Sequence, residues 1–137
     1  GIIVPHTKGA LGHSDADVLI HSICDALLGA ANFGDIGKHF PDIDLKYKGI
    51  DSEILLKEVM VLIREKGYEI GNIDSTICLQ TPKIGPYIPE MQRVIAACMG
   101  VNTDLVSIKA TTTEKLSFVG REEGVSAYAT VLISPKQ

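Results

Sequence analysis

The residues most able to do chemistry here are suited to charged oxygens. His13-Ser14 stands where loop is expected to become helix. Free backbone N–H groups and the helix dipole favour an anion there, and the imidazole and hydroxyl add donors; the pair also reads as a plain N-cap beside a surface histidine. His21 lies one helical repeat from both Asp17 and Asp25, so all three fall near one helix face. A histidine beside carboxylates is either a metal ligand with an acid orienting its ring or a half-buried residue in a polar contact. Thr111-Thr112-Thr113-Glu114 gathers hydroxyls and a carboxylate at a strand end. Hydroxyls suit phosphate oxygens and a carboxylate suits a hard divalent ion, although an ordinary cap has the same composition. Lys83, after Pro82, reads from pattern alone as a solvated turn lysine. Phe118 and Arg121 offer an aromatic and a cation near a strand, fit for a partner interface or a satellite core contact. Asp35, Asp42 and Asp44 are most simply turn formers.

The elements that must position these groups follow from periodicity. Residues 1–4 are β-branched and end at Pro5, as a short strand would. A helix is expected from Ser14, with a hydroxyl at its cap and acids in its first turn, to about Ala31; Val18, Ile20, Ile23, Leu27 and Leu28 face inward and Asn32 and Gly34 stop it. Residues 34–51 read as a long loop, and a loop of that length in a small domain is more often functional than idle. Ser52-Glu53 opens a second helix that Gly67 ends. Alternation from Ile73 to Gln80 gives a strand and Thr81 to Pro86 a rigid turn; a third helix follows, with Pro86 and Pro89 near its start, Met91, Val94, Ile95 and Cys98 inward and Gly100 as its stop. Strands are expected at 105–110 and 124–133, with a short helix between them. The order predicts one α/β domain over 1–137, an α+β sandwich with a mixed sheet packed on one layer of about three helices.

Composition narrows the function classes. The 137 residues are 45% hydrophobic, which suits a globular core, and carry a net charge of −4 with no basic stripe. Duplex nucleic acid is therefore a poor partner. No apolar run approaches a membrane span. The three cysteines have no CxxC spacing and read as buried small side chains in a reducing compartment, which places the protein in the cytoplasm, or in a plastid stroma for a plant or algal source. The opening Gly1-Ile2-Ile3-Val4-Pro5 lacks an initiator Met and a signal peptide, and residues are expected to precede it.

Taken together, the motifs carry a resemblance. HSDADVLIH at 13–21, DALLGAA at 25–31, GDIGKHFPD at 34–42, PK at 82–83, PYIPEM at 86–91, KATTTEKL at 109–116 and FVGREEG at 118–124 resemble, in order and spacing, the 2-C-methyl-D-erythritol 2,4-cyclodiphosphate synthase family across essentially the whole chain. The resemblance implies a homotrimer with active sites between subunits, and intramolecular phosphoryl transfer that releases CMP from a CDP-linked substrate. It implies that His21 is a zinc ligand and that His13 and Ser14 hold a phosphate, His13 also stabilising the transition state. Asp35, Ile36 and Gly37 would line the substrate, and Phe40, Pro41, Asp42, Ile43 and Asp44 would form a flap. Leu79, Gln80, Thr81, Pro82, Lys83, Ile84 and Gly85 would make a cytosine pocket from the adjacent subunit. Leu79 stands where relatives often carry Ala, adding bulk beside it. Thr111, Thr112, Thr113 and Glu114 would meet the diphosphate, with Thr112 aiding the transition state and Glu114 serving Mg²⁺ or Mn²⁺. Phe118 and Arg121 would sit near the three-fold axis, beside a cavity able to take an isoprenoid diphosphate. The family's other two zinc ligands lie in an Asp-x-His motif that is absent from these residues and is expected upstream of Gly1. Two rival readings are a non-catalytic nucleotide or isoprenoid-diphosphate binding trimer, and a structural protein on the same fold.

Overall fold

Leu19, Ile20, Ile23, Cys24, Leu27 and Leu28 recur at three- and four-residue spacing, and each is fully buried. That stripe anchors the first helix, α1 (Leu11–Ala30), to the rest of the molecule. The computed structural model describes residues 11–40, 50–80, 84–121 and 125–137, with side chains from Asp17 in α1 and from Ser52 in the third helix. The expected strand at 1–4 and residues 41–49 of the expected loop lie outside the described residues.

Two helix starts differ from expectation. α1 begins at Leu11, so Ser14 lies inside it rather than at its cap, and its first turn holds no acid. Gly12 lowers local helix propensity and hides this start from the sequence. The third helix, α3 (Ile50–Glu65), likewise begins before Ser52, which is a buried residue within it. The loop expected over 34–51 also contains a short helix, α2 (Ile36–His39), capped by Asp35, whose carboxylate accepts the Lys38 N–H at 2.9 Å. The end of α1 is as expected. Asn32 turns left-handed at φ 60. The Phe33 N–H then reaches the Leu28 carbonyl at 2.8 Å and the Asn32 N–H the Gly29 carbonyl at 3.0 Å, satisfying two terminal acceptors.

The sheet is mixed, in the order β2-β1-β3. Central β1 (Tyr68–Cys78) runs parallel to β2 (Val106–Thr111) and antiparallel to β3 (Ser126–Pro135). The parallel pair needs a crossover, supplied by α4 (Ile88–Met99). Ile73, Ser75 and Ile77 share the inner face with Val106 and Ile108 on one side and with Val131, Ala129 and Ala127 on the other. Ser75 is buried, and its hydroxyl donates to the Ser107 carbonyl at 2.9 Å. β1 starts earlier than the alternation predicts, because the register shifts between Ile70 and Asn72 and interrupts the period at Gly71.

α1 lies over β3, α4 over β2, and α3 packs against both helices, so the expected single layer of three long helices is present. A four-residue helix, α5 (Ser117–Gly120), follows β2. Among the described residues no helix is long and apolar enough to cross a membrane.

Arg64 closes the far end of this layer. Its Nη2 donates to the Met99 carbonyl at 2.5 Å and to the Gly100 carbonyl at 3.4 Å, capping α4 from α3. Gly100 is left-handed at φ 66. Replacing Arg64 by alanine is expected to cost about 1 kcal/mol, measured by urea denaturation, since a charged donor is lost at an exposed site. An unchanged denaturation midpoint would show that water caps these carbonyls equally well.

Candidate active site

The structure gathers the expected site residues into two groups. The first is built on α1, α2 and α3. His21 projects from α1, half-buried, with its Nε2 3.4 Å from the hydroxyl of buried Ser52 on α3. Burial lowers the His21 pKa from its ordinary value, while Asp17 and then Asp25 pull it upward. Desolvation dominates, which favours the neutral imidazole, the form that binds a metal. Asp25 accepts the Ile36 N–H at 3.1 Å and so pins α2 to the helix that carries His21. Asp35 is the cap of α2, Ile36 is buried, Gly37 is exposed, and Phe40 is half-buried at the helix end. His13 and Ser14 lie in the first turns of α1, with side chains outside the described residues, as are Pro41, Asp42, Ile43 and Asp44.

The second group surrounds a cavity of about 350 Å³ at the carboxyl ends of the parallel strands β1 and β2. Ligands favour that end of an α/β sheet, where chain ends diverge and leave a crevice. Leu79, Gln80, Ile84 and Gly85 form one wall, Ala110, Thr111 and Thr112 another, and Pro86 and Ile88 complete it. Leu79 and Ile84 are buried and make much of the lining apolar, and the exposed Thr111 and Thr112 add hydroxyl-bearing side chains to it. Thr81, Pro82 and Lys83 lie outside the described residues.

After β2 the backbone turns sharply. Glu114, Lys115 and Ser117 have φ of 56, 65 and 59, a left-handed conformation that costs a residue with a Cβ energy. The turn is cross-braced. The Thr112 hydroxyl accepts the Glu114 N–H at 3.3 Å, and the Thr113 hydroxyl donates to the Leu116 carbonyl at 2.7 Å. The Gln80 Oε1 accepts the Lys115 N–H at 3.1 Å. Phe118 is 46% exposed on α5, and Arg121 follows it at the helix end.

Among the described residues, none of those on α1 or α2 lines the cavity. Among the described residues no three His, Cys, Asp or Glu side chains converge on one point, so His21 supplies a single donor. The cysteines are free thiols, and burial pushes the Cys24 pKa far above its ordinary value and raises that of Cys98, so neither is an activated nucleophile. Sequence reasoning missed Ser52 beside His21, because that contact joins two helices. The tie from Asp25 to Ile36 went unseen as well, although Asp25 had been placed on the right face.

Fold and cavity together define an α/β protein with a hydroxyl-edged pocket at the ends of two parallel strands. The chain belongs to the YgbB family, whose model matches residues 1–134. It is 66% identical over 134 residues to the 2-C-methyl-D-erythritol 2,4-cyclodiphosphate synthase of Bacteroides fragilis, covering 98% of this chain and 84% of that protein. It is 58% identical to the synthase of the same name from Chlorobium phaeobacteroides, covering 100% of this chain and 86% of the relative. Among solved structures it is similar to the CDP complex of IspF from Plasmodium falciparum, with a TM-score of 0.79 and 31% identity, covering 98% of this chain and 76% of that one. It also resembles the bifunctional IspDF of Campylobacter jejuni, with a TM-score of 0.82 and 45% identity over 90% of this chain and 33% of that longer one.

Proposed function

We infer that this chain converts 4-diphosphocytidyl-2-C-methyl-D-erythritol 2-phosphate to 2-C-methyl-D-erythritol 2,4-cyclodiphosphate and releases CMP. The observation that carries this reading is the near-full-length identity to synthases of that name, joined to a cavity of nucleotide-base size at the strand ends. An oxygen of the 2-phosphate attacks the β-phosphorus of the CDP group. A new P–O bond closes the ring, and the bond from that phosphorus to the bridging oxygen breaks, leaving its electron pair on CMP. No side-chain nucleophile is needed; catalysis is positioning and charge neutralisation.

The apolar walls at Leu79, Ile84, Pro86 and Ile88 suit a pyrimidine ring, and the similarity to a CDP complex supports that assignment. Thr111 and Thr112 then stand where the diphosphate leaves the pocket, with Thr112 beside the reacting phosphorus and Thr113 and Glu114 following. We assign Thr81, Pro82 and Lys83 to substrate binding as well, and His13 and Ser14 to holding the attacking phosphate. Asp35, Ile36 and Gly37 are assigned to the sugar side, and the segment from Phe40 to Asp44 to keeping water from it.

Divalent ions supply charge neutralisation between the two phosphates when bound, which we assign to Zn²⁺ at His21 and Mg²⁺ or Mn²⁺ at Glu114. The half-buried imidazole of His21, its pKa lowered by burial, fits a ligand's role.

The working unit is proposed to be a homotrimer. Two features support it: among the described residues the α1–α2 group and the cavity group do not share a lining, and the outer sheet face exposes Tyr128 at 64% and Leu132 at 63%. Phe118 and Arg121 would face the three-fold axis, where an isoprenoid diphosphate is the proposed guest. The free thiols and the absence of a span-length helix among the described residues support a cytoplasmic site of action.

The test is direct. The protein, the CDP-linked substrate and Mg²⁺ are incubated, CMP is followed by chromatography and the cyclic diphosphate by ³¹P NMR. Equal amounts of both are expected. Tight CDP binding with no CMP released would instead favour a non-catalytic binding protein.

A further inference from the structure

We propose that Gln80 is a positioning residue that holds the phosphate-side turn in its reactive shape from the floor of the base pocket. The inference rests on the function proposed above, in which Thr112 and Glu114 meet the diphosphate.

Three observations converge on this side chain. First, Gln80 follows the last residue of β1 and lines the cavity, so it touches the region assigned to the base. Second, its Oε1 accepts the Lys115 N–H at 3.1 Å. Lys115 is one of two consecutive left-handed residues, at φ 65 after Glu114 at φ 56. Such a backbone relaxes unless its surroundings over-determine it. Third, the other side of the same residue is closed by Gly120: a Cβ built there would lie 2.0 Å from the Lys115 carbonyl carbon. Lys115 is therefore held between a hydrogen bond from the pocket and the backbone of α5.

The energetics separate positioning from stability. The Lys115 N–H is exposed, so water replaces Gln80 when the amide is removed, and global stability changes little. Water does not hold the peptide plane in one orientation. The turn that begins at Thr112 then samples other conformations, and an in-line attack is intolerant of displacements near 1 Å. The loss falls on the chemical step rather than on base affinity.

The experiment compares Gln80→Leu, which keeps an aliphatic stem and loses the acceptor, with Gln80→Glu, which keeps the acceptor and adds charge. For Gln80→Leu, kcat for CMP release is expected to fall roughly 10- to 100-fold, with KM within about threefold of the parent. For Gln80→Glu, kcat is expected to stay within about threefold while KM rises, because the new carboxylate repels the diphosphate. CMP affinity, measured calorimetrically on Gln80→Leu, is expected to match the parent. The proposal is overturned by a Gln80→Leu enzyme with parental kcat, by a loss confined to KM and CMP affinity, or by equal kcat losses in both variants. A parent protein that releases no CMP would sink the functional reading itself, an outcome distinct from these.

Discussion

Replacing His21 by alanine is expected to lower CMP release by roughly a thousandfold, equivalent to about 4 kcal/mol of lost charge stabilisation between the phosphates. The imidazole sits half-buried on α1, and burial lowers its pKa against the opposing fields of Asp17 and Asp25, which favours the form that offers a lone pair. Its neighbours Leu19, Ile20, Ile23 and Cys24 on α1 are fully buried in the core, whereas His21 itself is half-buried. The variant should therefore keep its helical circular dichroism and lose bound zinc, measured by plasma mass spectrometry on the purified protein. A variant that lost its metal yet released CMP within tenfold of the parent would remove His21 from the mechanism.

The second large effect is expected at Gly120. Alanine there places a methyl carbon 2.0 Å from the Lys115 carbonyl carbon and 2.5 Å from its Cα. Backbone cannot swing aside as a side-chain tip can, so either α5 or the turn from Thr113 to Leu116 must move. Overpacking of this kind costs about 1–3 kcal/mol. Displacing the turn also moves Thr112 and Glu114, and roughly a hundredfold loss of kcat is expected. Gly29 is the control. It lies in α1, and beyond its chain neighbours and its own helix backbone no heavy atom of the described residues comes within 4 Å of a built Cβ, so Gly29→Ala should leave kcat unchanged and raise stability by about 0.5–1 kcal/mol. Thermal melts and steady-state kinetics on both variants would separate a local clash from a general intolerance of alanine.

What the sequence revealed and what it hid have physical causes. The inward stripe of α1 and the alternation of β1 were readable because burial repeats at the period of each element. The end of α1 at Asn32 and that of α4 at Gly100 were readable because left-handed caps favour those two residue types. The threonine run at 111–113 was visible as chemistry, but its turn was not: Glu114, Lys115 and Ser117 adopt positive φ without the glycine that usually signals it. Ser52 looked like a helix start and instead meets His21 from another helix, a contact between distant parts of the chain that no local pattern encodes. Of the stretch that the resemblance assigns to a base pocket, Leu79, Gln80, Ile84 and Gly85 line the cavity. Pro86, Ile88 and Ala110 joined it only when α4 was folded over the strand ends.

The central place of β1 has a consequence for how the molecule assembles in time. Ile73 pairs with Val106 on one side and Val131 on the other, so both neighbours of the middle strand are made later than the strand itself. The loop around α4 must close before β2 satisfies one edge of β1, and the phosphate-side turn must close before β3 satisfies the other; closure over such separations slows folding towards the millisecond-to-second range. A nascent chain therefore keeps the β3-facing edge of its central strand open until translation reaches β3, and an open edge of that kind is exposed to aggregation.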